Sequence, residues 1–476
     1  MPEVAFRAIK DVAAVELYVT DLSGSIVRKL SGTLVPGGDT LSFQWSPNGA
    51  WIAFLADKDT AGVRELYVVP AAGGDPVKVS SPIVAGGPLW GYEWAPDSSR
   101  IAFRADADGD LTEELYTSLP TGGGAVQVAG AHYTSSWAPD SSRIAHVYDD
   151  GLYTSLPDGS DTIQVSGTPV PGGNVTIFYW APDGSRMAYM ADQDVNGVVE
   201  LYTSLPTEGG SVKVSGNLVA GGDVLGFRWG PDSSRVAYVA NQDTVSAGEI
   251  YTSLPSGGNN LKVSGDLVPG GSTIGFSWAP DSSRIAYGAD EDTDGVVELY
   301  TALPSGGGKV KVSGALVPGG DVGIFEWAPD SSGIAYRAIQ DSVGVWELYT
   351  SLPTGVGNVK VSGALVPGGN VGSFIWAPDS SRIAYIADQN ADEIWELYTS
   401  LAVGGDNVKV SGMLTPGGLV QSYQWVSDSS LIVYRADQET NDVFELFSAV
   451  PTGGGVLKIS GPLVPGGVVA SDFAVR

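Results

Sequence analysis

The sequence predicts an all-β fold, a closed propeller of four-stranded blades. Three observations carry this. A Trp-x-Pro-Asp motif or a near variant recurs with Trp at positions 45, 94, 137, 180, 229, 278, 327, 376 and 425. Each interval holds four short runs rich in Val, Ile, Tyr and Phe, separated by turn residues. No apolar stripe of helical period is present. Four-strand units repeating every 43 or 49 residues are propeller blades.

The unit Trp278 to Gly320, WAPDSSRIAYGADEDTDGVVELYTALPSGGGKVKVSGALVPGG, shows every element. A first strand ends at Trp (IGFSW), and Pro-Asp-Ser-Ser turns the chain into a second (RIAYGA). An acidic loop leads to a third (ELYTAL), Pro-x-Gly-Gly to a fourth (KVKVSG), and Pro-Gly-Gly to the next blade. These turn residues are favoured for their backbone angles or their side-chain bonds to backbone. The second and third strands do not alternate cleanly, as expected of strands buried on both faces between stacked blades.

Residues 1–38 match strands two to four without a first, and residues 468–476 (VVASDFAVR, 468–476) match a first strand alone. Joined, they form one composite blade, which closes the ring and removes free edges. With nine Trp-marked blades starting near 39, 88, 131, 174, 223, 272, 321, 370 and 419, the expectation is one ten-bladed ring. Two smaller propellers are the alternative, although no linker interrupts the rhythm.

Composition narrows the function classes. The 25 basic and 54 acidic side chains leave a net charge of −29, which disfavours nucleic acid and anionic lipid and favours cations and basic surfaces. There are no cysteines, so disulfides, thiolate catalysis and Cys-ligated zinc are excluded. No apolar run approaches the roughly 20 residues of a membrane-spanning helix. The opening MPEVAFRAIK reads as part of a repeat rather than as a leader, and a monomer is expected.

WAPDSSRIAY, WAPDGSRMAY and SPNGAWIAF resemble the Trp-x-Pro-Asp-Gly-x-x-Ile-Ala-Phe signature of TolB-like, WD-like propeller repeats, along essentially the whole chain. The resemblance implies a bacterial propeller used for protein contacts, periplasmic, secreted or at the cell surface. In this chain the signature glycine is mostly serine.

The loop between strands two and three carries the most specific chemical pattern. Asp192, Asp194, Asn196 and Glu200, and again Asp290, Asp292, Asp294 and Glu298, follow D-x-[DN]-x-[DN]-G-x-x-E. Oxygen ligands at positions one, three, five and nine suit a hard cation, and the glycine permits the sharp turn. The pattern resembles the calcium loops of integrin-type propellers. Asp106, Asp108, Asp110 and Glu114, and Asp388, Asn390, Asp392 and Glu396, keep the oxygens but shift or lose the glycine. Several bound Ca2+ ions are therefore expected. A competing reading makes these loops solvated turns, because Glu16, Glu249 and Glu347 persist where the aspartates have decayed.

Other repeated residues read as structure. The motif tryptophans belong to the blade core, and Asp97, Asp140, Asp183, Asp232, Asp281, Asp330 and Asp379 to turns that bond their own backbone. Arg100, Arg143, Arg186, Arg235, Arg284 and Arg382 cover the blade surface or pair with those aspartates. The irregular places are few. The loop entering the Trp137 blade is six residues shorter than its counterpart, and that blade's acidic loop is missing too. A notch in one face follows, flanked by His132, Tyr133, His146 and Asp149. It is either a partner or metal site, or a tolerated deletion in which His146 replaces a core tyrosine. Trp346, Trp395 and Phe444 precede the loop glutamate on three neighbouring blades, placed for a partner patch or for packing under the Pro-Gly-Gly turns.

The function expected is a non-enzymatic, calcium-stiffened scaffold that offers its loop face to a protein or glycan. One alternative is a polysaccharide lyase or hydrolase working in the central pocket, which would require one blade whose pocket-facing residues break the consensus with several polar groups. Another is a structural cell-surface repeat protein.

Overall fold

The computed structural model describes residues 2–11, 14–80, 87–130 and 134–476. Ten four-stranded antiparallel sheets form a single ring, and no helix occurs among the described residues. The nine Trp-marked blades are named here by that residue. The tenth joins Glu3–Ala8, Glu16–Asp21 and Val27–Lys29 to the C-terminal strand Val469–Val475, with Phe6 opposite Phe473 and Val4 opposite Val475. The expectation of one ring closed by both termini holds, and the alternative of two propellers falls.

The core lies between blades rather than within them. In the Trp278 blade both Ile285–Ala289 and Glu298–Ala302 are buried along their whole length. Their side chains meet Ala237, Ile250 and Val263 of the preceding blade, and Tyr287 stacks on Tyr300 with ring centroids 5.6 Å apart. Small alanines facing large aromatics let neighbouring sheets approach closely.

Three hydrogen bonds recur at the junctions. Eight of the nine motif tryptophans donate the indole N–H to a first-strand carbonyl of the preceding blade, at 3.1 to 3.4 Å; Trp278 reaches Arg228 and Trp45 reaches Ala474. Trp425 lacks this bond. The third-strand threonine donates to the Pro-x-Gly-Gly turn of the next blade, as Thr301 Oγ1 does to the Pro353 carbonyl at 2.7 Å. The first serine of Asp-Ser-Ser accepts the amide of the preceding blade's turn aspartate: Asp232 donates to Ser282 and Asp281 to Ser331, each at 3.0 Å.

That third bond explains why serine replaces the signature glycine. Ser98, Ser141, Ser233, Ser282, Ser331, Ser380 and Ser429 have φ between 61° and 64°, as Gly49 and Gly184 do at the same place with 63° and 72°. A left-handed non-glycine residue costs about 1–2 kcal/mol. The hydroxyl offsets this by satisfying an amide across the junction, worth about 1 kcal/mol.

The turn aspartates bond their own backbone as expected, Asp281 accepting from the Ser283 amide at 3.0 Å. The arginines do not pair with them among the described residues. Arg284 reaches Thr301 and the Gly308 carbonyl, while Arg143 pairs with Asp161 at 2.8 Å.

Two outcomes follow. Ser282→Ala keeps the left-handed strain and loses the bond, so it should lower stability by about 1 kcal/mol, whereas Ser282→Gly should stay within about 0.5 kcal/mol of the parent; chemical denaturation of both checks this. Hydrogen bonds from Ser142 and Ser332 hold the Asp140 and Asp330 carboxyls below the ordinary carboxylate range. A depressed folded-state pKa stabilises above the unfolded value and is lost as pH falls through the folded one. The melting temperature should therefore drop progressively as pH is lowered below about 4, by an amount that Asp330→Asn reduces.

Candidate functional site

The strand-three glutamate is tied into the same network in most blades. In the Trp278 blade, Tyr300 donates its hydroxyl to Glu298 at 2.8 Å, and the Lys311 ammonium pairs with Glu298 while lying 3.5 Å from Asp292. Lys262 repeats this with Glu249 at 2.5 Å and Asp243 at 3.0 Å. Lys78 does so with Glu65 and Asp59, and Lys458 with Glu445 and Glu439. The lysine sits opposite the tyrosine in register, as Lys311 does to Tyr300. Loop positions three and nine thus already share a cation, the ammonium of strand four.

Position one serves the backbone. Asp192 accepts the amides of Asn174 at 2.6 Å and Gly197 at 2.9 Å, and Asp290 accepts those of Ser272 and Gly295. Asp388 accepts from Asn370 and Glu393. These bonds tie the acidic loop to the Pro-Gly-Gly loop on the same face. Position five leans the same way: Asn196, Asp294 and Asp392 lie against Gly172, Gly270 and Gly368. At Asp388–Glu396, Asn390 donates to Glu396 at 2.9 Å and Lys409 pairs with it. Burial raises the proton affinity of Glu396, but Lys409, Tyr398 and Asn390 outweigh it and hold the carboxyl below its ordinary range.

Of the four expected metal loops, the Trp94 blade alone brings three carboxylates together among the described residues. One oxygen each from Asp106, Asp108 and Glu114 lies within 4.8 Å of the others, with Asp106 and Glu114 buried and Asp108 exposed. The residue opposite Tyr116 here is Gln127, where eight blades have lysine. The sequence contains this signal, but only a register alignment of strand four reveals it. Asp110 is not in the cluster and accepts from the amide and hydroxyl of Thr112, while Asp106 accepts the amides of Gly109 and Leu111 and Glu114 that of Ala107. Next to the cluster Leu111 has φ 68° and is 86% exposed, an apolar side chain held out on a strained backbone.

The same blade departs from the consensus toward the centre of the ring. Trp90 is exposed on its first strand, and Arg104 pairs with Glu113 at 2.5 Å. Glu93, Arg104, Thr134 and Ser135 line a polar cavity of about 520 Å³. Burial pushes the Glu93 carboxyl up, and also that of Glu113 against the opposing pull of Arg104.

The remaining candidates stay apart from these residues. His146 is buried, 3.0 Å from the Ser155 hydroxyl and stacked on Tyr153, in the register where other blades place tyrosine. Asp149 and Asp150, with φ 46° and 65°, form a two-residue hairpin turn between Tyr148 and Gly151. His132 and Tyr133 lie outside the described residues. Trp346 and Phe444 are half-buried under Arg337 and Arg435, at 4.8 and 4.1 Å from guanidinium to ring centre. Trp395 packs over Gly372.

No protein-family model matches the chain, and no curated protein does. Among solved structures it is similar to a eukaryotic initiation factor, with 12% identity and a TM-score of 0.54 over 86% of this chain and 96% of that one. It is also similar to an oligogalacturonate lyase solved in complex with manganese, at 15% identity and a TM-score of 0.38 over 65% and 87%. Dipeptidyl peptidase 4 of Porphyromonas gingivalis gives 11% and 0.48 over 83% and 64%. Likeness at this level speaks to the propeller fold alone.

Lys311→Gln tests the ammonium directly. It leaves Asp292 and buried Glu298 uncompensated and, after discounting for solvent, should cost about 1–2 kcal/mol in chemical denaturation. Millimolar calcium should restore part of that loss.

Proposed function

We propose that this propeller is a binding scaffold whose Trp94 blade holds a calcium ion and presents its loop face to a protein or glycan partner. The observation that carries the reading is the convergence of Asp106, Asp108 and Glu114 in the blade where Gln127 replaces the lysine. Elsewhere an ammonium neutralises loop positions three and nine; here a hard cation from solution takes that role. All-oxygen ligation with one exposed carboxylate suits Ca2+ in the weak, extracellular affinity class, roughly 0.1–1 mM. That fits a secreted, periplasmic or cell-surface location. Exposed Leu111 beside the ion supplies an apolar contact for a partner.

The test is calorimetric titration of calcium into chelator-treated protein. One equivalent should bind and raise the melting temperature, and Gln127→Lys should abolish binding while leaving the fold intact. No binding at millimolar calcium, or unchanged binding in Gln127→Lys, defeats the proposal.

A second reading is favoured by two carboxyls of raised proton affinity, Glu93 in the lining of the polar cavity and Glu113 paired with Arg104, which also lines it. On it the protein is a polysaccharide lyase or hydrolase, with these groups in acid–base roles. Turnover of a glycan that Glu93→Gln reduces by about 100-fold would favour it over the scaffold.

A further inference from the structure

We infer that the centre of the ring carries a second binding site, separate from the metal loop, for a small mono-anion with an apolar or aromatic body, anchored on Arg228. The indole bonds place the first strands side by side, so the residue before each motif tryptophan falls in one circle around the centre. While the flanking repeat is nearly constant, this residue varies: Gln44, Glu93, Ser136, Tyr179, Arg228, Ser277, Glu326, Ile375 and Gln424. The residue four before each tryptophan varies too, with Trp90, Thr176, Leu225, Ile274, Gly323 and Gln421 among them, so the first strands give the ring a surface whose chemistry differs from blade to blade.

On one arc, where the residues before the tryptophans are Tyr179, Arg228, Ser277 and Glu326, other first-strand positions are apolar. Tyr179, Leu225, Ile274 and Ile324, on four successive first strands, are 49%, 57%, 53% and 50% exposed. Of these, Tyr179 and Leu225 line one cavity, and exposed apolar surface of that kind marks interaction sites. The arc borders a cavity of about 700 Å³ lined by Ile177, Tyr179, Leu225, Phe227, Arg228 and Phe276 among others, a volume suited to a small molecule. The Tyr179 ring meets Phe227 edge-on at 5.3 Å, crossing the junction next to Arg228.

Arg228 is the cation lining this cavity. It is exposed, and among the described residues no carboxylate lies within ion-pair distance of it. By contrast Arg7, Arg104, Arg143 and Arg382 each hold an acidic partner. In a chain of net charge −29 a polyanion is repelled at long range, which leaves a single carboxylate or sulfonate as the group that gains from Arg228. The guanidinium offers such a group two parallel donors, and the aromatic and aliphatic wall takes the rest of the ligand.

Fluorescence titration with anilinonaphthalene sulfonate and with uncharged N-phenylnaphthylamine, which shares its ring system, tests the assignment. Both should bind saturably at one site. Arg228→Gln should weaken the sulfonate about tenfold and change the neutral probe less than twofold, and Leu225→Asp should weaken both, with unaltered melting curves in each case. Equal effects of Arg228→Gln on the two probes, no effect on either, or binding that does not saturate overturns the site. Gln127→Lys should leave both affinities unchanged, so this result and the calcium result are independent.

Discussion

The motif tryptophans pack against the preceding blade, and all but Trp425 give the indole N–H to that blade's first strand. A blade without its two neighbours would expose both faces of its two middle strands. Stability is therefore a property of the junctions, as in other stacked-repeat proteins, with the difference that the ring has no terminal repeat to cap. The composite blade supplies the last junction, where Trp45 reaches Ala474 and Gln424 bonds the backbone of Phe473 and Val475. The serine and threonine bonds toward the Pro-Asp side of the ring add two further ties at most junctions, and fewer where Gly49, Gly184 or Val68 takes the place of the hydroxyl residue.

This dependence constrains where chemistry can appear. The middle strands are committed to packing, which leaves the acidic loops and the inward residues of the first strands. In the loops, most acidic groups are already engaged. Position one binds backbone amides, position five leans on the Pro-Gly-Gly turn, and positions three and nine share a lysine. A buried carboxylate must be neutralised by something, because an unpaired charge in that position costs several kcal/mol. The Trp94 blade is set apart by Gln127, which removes the built-in cation and leaves three carboxylates facing one another. Its neighbour, the Trp137 blade, has lost the glutamate and the lysine together, with Gly151 and Gln164 in their places, and so has no charge to balance.

The inward surface is divided. The Trp94 blade faces the centre with Trp90 and Glu93, and the arc from Trp180 to Trp327 with aromatic and aliphatic side chains and Arg228. These are positions where the otherwise uniform repeats differ from one another, because a first-strand residue at the inner edge is less enclosed by neighbouring sheets than the middle strands are, even where, as at Tyr179 and Gln424, it still reaches the next blade.

The sequence alone determined the all-β class, the four strands per blade, the composite blade and the ten-blade count, since each follows from a period and from turn residues that are local along the chain. It also marked the acidic loops and placed His146 as a stand-in for a core tyrosine. What the tertiary structure decided was which of those carboxylates remain together. Asp290 and Asp292 stand two residues apart, yet one turns to backbone amides and the other to a lysine nineteen positions on. The loop pattern looks the same in either case; the competing partners come from a different strand and a different loop, and only folding brings them within reach. The reason for serine in the left-handed turn is of the same kind. Its hydrogen-bond partner belongs to the neighbouring blade, about fifty residues away, and no local pattern reports it.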